Sequence, residues 1–480
     1  MRIKGSLTVF AALVIMLITS FIFAMLEASR YVELNKLADM RADSDIESLF
    51  SQYNIPLYEE YGLLGYDCRG ADTEGFLKEL ADDNFSVSRD IPGREKLNLL
   101  RLNMDSADVT AYTLITDGDG AVYEACVAEY MKDTVAYGTA RLIYDTYMDA
   151  AGMEAESGDV DKNVDDAIAQ LEELEKSDDT DTDSAEKADE RVEDDTFDVV
   201  KETKASGVLA LILGSDTSIS GSAIDTSQSL SKRSRNSGVN QQIPDTDWLD
   251  YVCMEQYIIQ NMGNYTSPAD GHALSYEAEY IIAGKSCDSD NLKTVINELI
   301  LTREAANFLY LQGDTSKKEE ALALATAIAG ASANPVVIEA VKQGLLASWA
   351  YCESVLDVRT LLAGERVPFV KTKASWTSKL SNIASLLSGE AKAKAVTDGM
   401  SYKDFIGTLL LLKGVKSMAY RAMDIQEATI KMADGYENFC MDNVISRINI
   451  LFNYSYNHVF YDYKPVGQIS RSADYSYISK

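Results

Sequence analysis

Histidine, cysteine and carboxylate positions decide first whether this chain can make and break bonds. Only two histidines occur, His272 and His458. A catalytic triad or a two-His metal site needs them beside suitable partners, and neither lies in a recognisable motif. His272 falls in a loop around Pro268-Ala269-Asp270-Gly271, and His458 on a strand pattern near the end of the chain. No HExxH, GxSxG or phosphate-loop sequence is present. Gly62-Leu63-Leu64-Gly65 is too short for a dinucleotide fingerprint. The six cysteines (Cys68, Cys126, Cys253, Cys287, Cys352 and Cys440) include no two within four residues, so no zinc-type pair exists. An even number permits disulfides in an exported protein without fixing their connectivity. A domain of this size needs no covalent staples, and free, mostly buried thiols are expected.

Two polar clusters remain. Asp117-Gly118-Asp119-Gly120 invites a calcium reading, but an EF-hand needs oxygen ligands at positions 1, 3 and 5 with Gly at 6. Placing Gly120 at position 6 puts Ile115 at position 1, and placing Asp117 at position 1 puts Ala121 at position 5. A helix-initiating turn is expected instead. Glu277, Glu279 and Lys285 precede Arg303 and read as an ion-pair network between helices. Glu277 and Glu279 are two apart and share no helix face, which favours structural salt bridging over catalysis. The expectation is therefore no catalytic, cofactor-binding or metal-binding residue, no cofactor and no small-molecule substrate.

The positioning elements begin with the first thirty residues. Arg2 and Lys4 precede an uncharged run at 6–26, to which Leu7, Val9, Phe10, Leu13, Leu17, Phe21 and Leu26 contribute. At about 1.5 Å per residue a helix of that length spans a hydrocarbon core of about 30 Å. The positive residues in front keep 1–5 in the cytoplasm and send the chain outward after Leu26. A cleaved secretory signal has a shorter apolar core and a small-x-small site, which 24–28 does not match. Gly is absent between Gly5 and Gly62, and Pro is absent before Pro56. Tyr31, Leu34, Leu37, Ala38, Ile46, Leu49 and Phe50 approximate one helical face. A single helix over residues 6 to about 53 is predicted, its first half in lipid, its second against a head domain, with Pro56 as its stop.

Net charge is −32, which argues against duplex nucleic acid as a partner. Residues 154–204 hold 21 Asp or Glu against 6 Lys or Arg, a net of −15. Residues 205–245 are rich in Ser, Thr, Gly, Asp and Asn, and the whole of 154–245 reads as a disordered insertion or linker that buries too little apolar surface to order itself. Within it, 167–174 reads as a short helix, 208–213 as an apolar island able to dock, and Lys232, Arg233 and Arg235 as a solvated basic spot. Residues 97–104 and 109–116 read as two strands joined by a turn at 105–108, with a helix from 121 to about 153. Helices are expected at 278–283, 292–310 (with Ser289, Asp290 or Asn291 as N-cap) and 316–329. Asn334-Pro335 opens another to about Leu362, and 402 to about 432 forms a last one. Residues 448–456 alternate as a half-buried strand that would complete a small sheet with 97–116. The six tyrosines from Tyr454 to Tyr477 read as strand residues, with an adhesive surface as the alternative.

Two resemblances follow from these residues. Lys4-Gly5-Ser6-Leu7-Thr8-Val9 before an apolar helix resembles the type IV pilin and pseudopilin N-terminus. That resemblance implies cutting after Gly5 by a membrane peptidase and a helix that is first an anchor, then the packing core of a fibre. Phe10 stands where that family usually has Glu, which puts shaft polymerisation in doubt; tip-type minor pseudopilins of type II secretion are similar in lacking it. Tyr276-Glu277-Ala278-Glu279-Tyr280, Arg303-Glu304-Ala305-Ala306-Asn307-Phe308, Met400-Ser401-Tyr402-Lys403-Asp404-Phe405 and Arg421-Ala422-Met423-Asp424 resemble a domain family of unknown function from tight-adherence (Flp) pilus clusters of Gram-positive anaerobes. The likeness covers the anchor and both folded blocks and implies a membrane-anchored part of a pilus or secretion apparatus.

The expected fold is α+β, predominantly α-helical, with a long N-terminal transmembrane and stem helix, a small antiparallel sheet and a helical body. The expected divisions are a cytoplasmic leader (1–5), transmembrane helix (6–26), stem helix (27–56), α+β head part (57–153), the acidic insertion (154–245) and a helical body with a C-terminal strand (246–480). The expected role is a non-enzymatic, single-pass membrane protein with its C-terminal domain outside. Gly5 and Ser6 form its processing site, and lipid and other pilin-like or secretion-apparatus subunits are its partners. An unprocessed cell-surface binding or scaffold protein is the alternative, and a surface hydrolase a remote one.

Overall fold

A computed structural model describes residues 4–68, 100, 102–132, 134, 140–145, 162–170, 194–205, 207–214, 217–329, 334–460 and 466–479. The architecture is α+β, predominantly helical, with one small antiparallel sheet and a long apolar N-terminal helix. The chain forms two compact units, one from Met1–Tyr130, Ser234–Asp245 and Ala433–Lys480, the other from Met131–Arg233 and Thr246–Met432.

The first unit is a helix laid on a sheet. The stem helix Lys4–Phe50 is 47 residues long, or about 70 Å at 1.5 Å per residue. It runs unbroken because no Gly or Pro follows Gly5 within it. Leu34, Ala38, Ala42, Ile46 and Leu49 recur every three or four residues and are all buried, giving one face from the second half of the helix. That face lies on strands β1 (Tyr66–Asp67), β2 (Asn103–Leu114), β3 (Val444–Tyr456) and β4 (Gly467–Ser476). Strand β3 is central, with β2 antiparallel along one edge and β1 and β4 antiparallel along the other. The strand expected near the end of the chain thus does pair with the 97–116 region.

Two local expectations change. Pro56 does not stop the stem, which ends at Phe50; it sits in the first turn of the next helix, Ile55–Tyr61, capped by Asn54 Oδ1 accepting from Leu57 N at 2.9 Å. Proline loses no helical hydrogen bond in that position. Residues 105–108 do not turn: β2 runs through them as one strand, with register shifts between Met104 and Ser106 and between Val109 and Ala111. Their polar side chains fit the solvent face, where Asn453 Nδ2 donates to Ser106 Oγ at 2.9 Å and Ser455 Oγ to Asp105 Oδ1 at 2.7 Å. Residues 97–99 and 101 lie outside the described residues. Gly118–Gly120 is a short 3-10 turn leading into the helix Ala121–Met131, as expected for a helix-initiating turn. Residues 140–145 are helical as well, and much of 133–153 lies outside the described residues.

The second unit is helical. Its central helix Pro335–Leu362 opens at Asn334-Pro335, where Asn334 Oδ1 accepts from Val336 N at 3.0 Å. Every residue from Gly344 to Leu362 is buried. A helix hydrophobic all round has to be surrounded, and Asp288–Gly313 and Thr315–Ala329 pack against it. The Asp288–Gly313 helix starts earlier than expected and is capped by none of Ser289, Asp290 or Asn291; Cys287 is the N-cap, without a side-chain bond. The last helix is two, Tyr402–Lys413 and Val415–Ile430, separated by Gly414. Gly414 has φ 80 and ψ 156, a conformation that only glycine adopts without strain.

Residues 162–170 are helical, overlapping the short helix read at 167–174, whose remainder lies outside the described residues. Asp194–Ala205 and Val208–Leu213 are also helices. Residues 217–233, within the stretch read as insertion or linker, are pinned by hydroxyl and backbone donors on buried carboxylates. Ser220 Oγ donates to Asp288 Oδ2 at 2.6 Å, and Ser231 N and Oγ donate to the two oxygens of Asp424 at 2.9 and 2.6 Å. Arg233 is no solvated spot: it makes a paired contact with both oxygens of Glu427, at 2.7 and 2.9 Å. None of the six cysteines is in a disulfide, and four of them are buried.

Candidate functional site

The feature that sets this molecule apart is the first half of its stem. Leu7, Val9, Phe10, Leu13, Leu17, Phe21 and Leu26 are all exposed, with Leu7 at 69%, Phe10 at 65% and Leu17 at 72% of their surface. Val14, Ile15, Met16, Ile18, Ile22, Phe23 and Met25 are exposed with them. This is no amphipathic stripe: the helix is apolar on every side, and soluble surfaces rarely carry contiguous apolar area of that extent. By length and composition this helix is able to cross a membrane. Gly5 and Ser6 lie in its first turn.

A polar and aromatic collar follows the apolar run. Arg30 is buried and donates to Glu27 Oε1 at 2.9 Å, and His458 Nδ1 lies 3.1 Å from the same oxygen. The guanidinium of Arg30 stacks over Tyr456, 5.6 Å from the ring centre, and Phe23 stacks on Phe460 at 5.7 Å. Amphipathic aromatic rings and cations of this kind favour the boundary between hydrocarbon and water. Partial burial works against the charge on Glu27; the His458 hydrogen bond and the Arg30 charge prevail and hold its carboxyl below the ordinary value.

Below the collar the sheet grips the stem. Phe50 contacts Tyr475 at 4.6 Å, Tyr477 at 5.0 Å and Tyr66 at 5.9 Å between ring centres. Tyr477 Oη donates to the Phe50 carbonyl at 2.5 Å. Through Tyr66 the short strand β1 also joins the contact with the stem. Tyr454, Tyr456, Tyr475 and Tyr477 are strand and interface residues facing the stem rather than an adhesive surface; Tyr461 and Tyr463 lie outside the described residues. Arg471 reaches across to Asn35 Oδ1 at 2.6 Å and to Asp39. Burial pushes the Asp45 carboxyl up to about 7 against the pull of Arg41.

The residues with catalytic potential are committed elsewhere. His272 Nδ1 meets Glu277 Oε1 at 2.8 Å, and the other Glu277 oxygen accepts from Gly263 N at 2.8 Å. Glu279 accepts from Tyr265 N at 2.8 Å and Tyr402 Oη at 2.7 Å, and burial raises its carboxyl to about 7. The expected network of Glu277, Glu279, Lys285 and Arg303 does not form among the described residues. Arg303 instead lies fully buried on Asp357 at 2.9 Å, while Lys371 bridges Asp357 at 2.6 Å and Glu353 at 2.8 Å. Glu353 also accepts from Thr377 N, Ser378 N and Ser378 Oγ. Two cations and two carboxylates neutralise one another without contact with water, a structural arrangement. The available sequence signal was Glu353 and Asp357, one helical turn apart in the mostly apolar second half of the helix. Both Asp117 oxygens accept from the chain itself, from Leu114 N at 2.7 Å and Gln241 Nε2 at 3.1 Å among others. No group of three or more potential metal ligands occurs among the described residues.

The sequence profile of a family of unknown function, DUF5702, matches residues 186–456, more than half of the chain. The match stops at the last residue of β3 and leaves the stem helix outside, so it is narrower than the likeness read from sequence. No curated protein and no solved structure matches.

Proposed function

The chain belongs to this family of unknown function, and we propose that it is a membrane-anchored, non-enzymatic, minor pseudopilin-like component of a tight-adherence (Flp) type pilus or secretion apparatus. The observation that carries this reading is the division of the stem helix Lys4–Phe50 into an exposed, wholly apolar half and a half gripped by an antiparallel sheet. The resemblance of the first residues to pilins implies the same division of labour: the free half lies in the bilayer beside lipid and sister subunits, and the gripped half carries the head. Arg2 and Lys4 before the run orient the remaining mass to the outside of the cell. Its work is then contact with other subunits, with helix packing in the membrane as the mechanism.

Mass spectrometry of the mature N-terminus tests the reading. A polypeptide starting at Ser6 supports processing at Gly5-Ser6, and one starting at Met1 contradicts it.

Phe10 favours a second reading, an unprocessed surface scaffold held by the same anchor. An acidic residue there would pair with a neighbour's new amino terminus, and phenylalanine has no charge to offer. Under this reading Gly5→Ala leaves both anchoring and assembly unchanged.

A further inference from the structure

Glu353 and Asp357 stand four residues apart on the central helix Pro335–Leu362, and so on one face of it. Both meet Lys371, which comes from the segment after that helix. None of the three side chains is exposed to solvent. Lys371 Nζ donates to Glu353 Oε1 at 2.8 Å and to the Ser375 carbonyl at 3.4 Å. It lies 2.6 Å from Asp357 Oδ1, yet that oxygen accepts no aligned hydrogen bond. The nitrogen thus sits against the carboxyl group while its N–H bonds serve other acceptors. With a C–O bond of about 1.2 Å, Nζ is within about 4 Å of the carboxyl carbon, near the ~3–3.5 Å from which groups react.

The other Asp357 oxygen is held differently. Oδ2 accepts from Arg303 Nε at 3.1 Å, Arg303 Nη2 at 2.9 Å and Asn307 Nδ2 at 3.3 Å. Arg303 is fixed in turn by Nη1 donating to the Phe369 carbonyl at 2.6 Å, and Asn307 by donating to Ser354 Oγ at 2.9 Å. Acyl transfer needs this division: donors on one oxygen to hold the charge that develops there, and a nucleophile beside the carbon.

We propose that Lys371 and Asp357 condense into an intramolecular amide, Nζ to Cγ, with Glu353 carrying a proton. One proton passes from the ammonium to Oδ1, leaving an amine beside a carboxylic acid. The nitrogen lone pair forms the N–C bond, and a second proton passes to Glu353 Oε1. The charge that collects on Oδ2 is held by Arg303 and Asn307. The bond from carbon to Oδ1 then breaks, Glu353 returns its proton, and Oδ1 leaves as water. Nitrogen gives up two of its three hydrogens, Oδ1 takes both, and no oxidant or co-reactant is needed. Two opposite buried charges disappear, and Arg303 and Glu353 remain as one cation and one carboxylate. A buried ion pair carries a desolvation cost that a neutral amide escapes, and exclusion of water protects the product from hydrolysis. The ion pair described above is the state that precedes the bond. The bond would close the loop 357–371 and lock that segment to the central helix. The assignment is independent of the membrane reading.

Peptide mapping of the denatured full chain by mass spectrometry tests it. Trypsin cuts after Lys342, Arg359, Arg366 and Lys373, and does not cut after a lysine whose amine is tied in an amide. The expected product is one branched peptide joining 343–359 to 367–373, lighter than its two parts by one water. Linear 343–359 with cleavage after Lys371 would overturn the assignment. So would loss of water confined to 343–359, which marks a cyclised aspartate rather than a cross-link. Lys371→Arg keeps the charge and cannot form this bond, so only linear 343–359 is expected from it. Glu353→Gln keeps hydrogen-bonding groups in place without the proton acceptor and should lower the branched fraction about tenfold or more. An unchanged branched fraction in Glu353→Gln would overturn the role given to Glu353. The digest of the unaltered protein decides the bond even where a variant fails to fold.

Discussion

Glu27 of the stem and His458, just beyond strand β3, meet at 3.1 Å where the stem changes from an exposed apolar rod to a helix packed on a sheet. Arg30 completes the contact from the same helix face, one turn on from Glu27, and is itself buried. The pair ties the two ends of the chain's first unit together at the expected water boundary. Arg30→Ala should lower stability by about 1–3 kcal/mol, because it strips a charged donor from a partly buried carboxylate. Exposed Lys36→Ala on the same helix should change it by less than about 0.5 kcal/mol. Chemical denaturation in detergent measures both. Equal, small effects would show that the collar carries no stability.

Phe50 is the aromatic centre of the stem–sheet contact, packed on Tyr66, Tyr475 and Tyr477. Phe50→Ala should cost about 3–5 kcal/mol through the cavity it leaves. The near-ultraviolet circular dichroism of the tyrosines should weaken with it. A full near-ultraviolet signal with unchanged stability would mean that the sheet does not grip the stem there.

Stability should fall as pH rises. Burial lifts Asp45, Glu255 and Glu279 to about 7, above their ordinary carboxylate values of 3.8 and 4.5. Each is raised in the fold, so its contribution is complete below the unfolded pKa and is lost as pH climbs through the folded one. Between about pH 4.5 and 7 the protein should therefore lose stability. Glu279→Gln keeps an acceptor for Tyr402 and Tyr265 and removes the ionisation, so its profile should be flatter than the wild type's over that window. Thermal melting at pH 5 and pH 8 reads the difference; an identical pH dependence in the variant would contradict the assignment.

The paired charges of the helical body should behave as a unit. Asp357→Ala leaves Arg303 and Lys371 buried with half their counter-charge and should cost about 3–5 kcal/mol. Arg303→Met combined with Asp357→Leu, which removes one cation and one carboxylate together, should be milder than the single change. Denaturant titration of the three proteins checks the order.

The elements that sequence revealed are those whose signal is local. A long stretch without Gly or Pro announced the stem, Asn334-Pro335 announced the central helix, and alternation from Ile448 to Tyr456 announced β3. What escaped depends on distant partners. Asp105 to Asp108 look like a turn until β3 supplies Asn453 and Ser455 as cross-strand partners. Ser220 and Ser231 look like linker residues until Asp288 and Asp424 accept their bonds. A lone Gly414 inside a helical pattern gives no hint that φ turns positive there. The anchor residues were readable one by one, whereas Lys232 comes beside Lys413, Lys416 and Arg421 only through the fold.

Membrane extraction tests the central claim most directly. The full chain should stay with the membrane pellet through an alkaline carbonate wash. Leu13→Arg combined with Leu17→Arg should release it, since a charged residue at the centre of a spanning helix costs about 2.5–3.5 kcal/mol on insertion scales. Recovery of the unaltered protein in the supernatant would contradict the account.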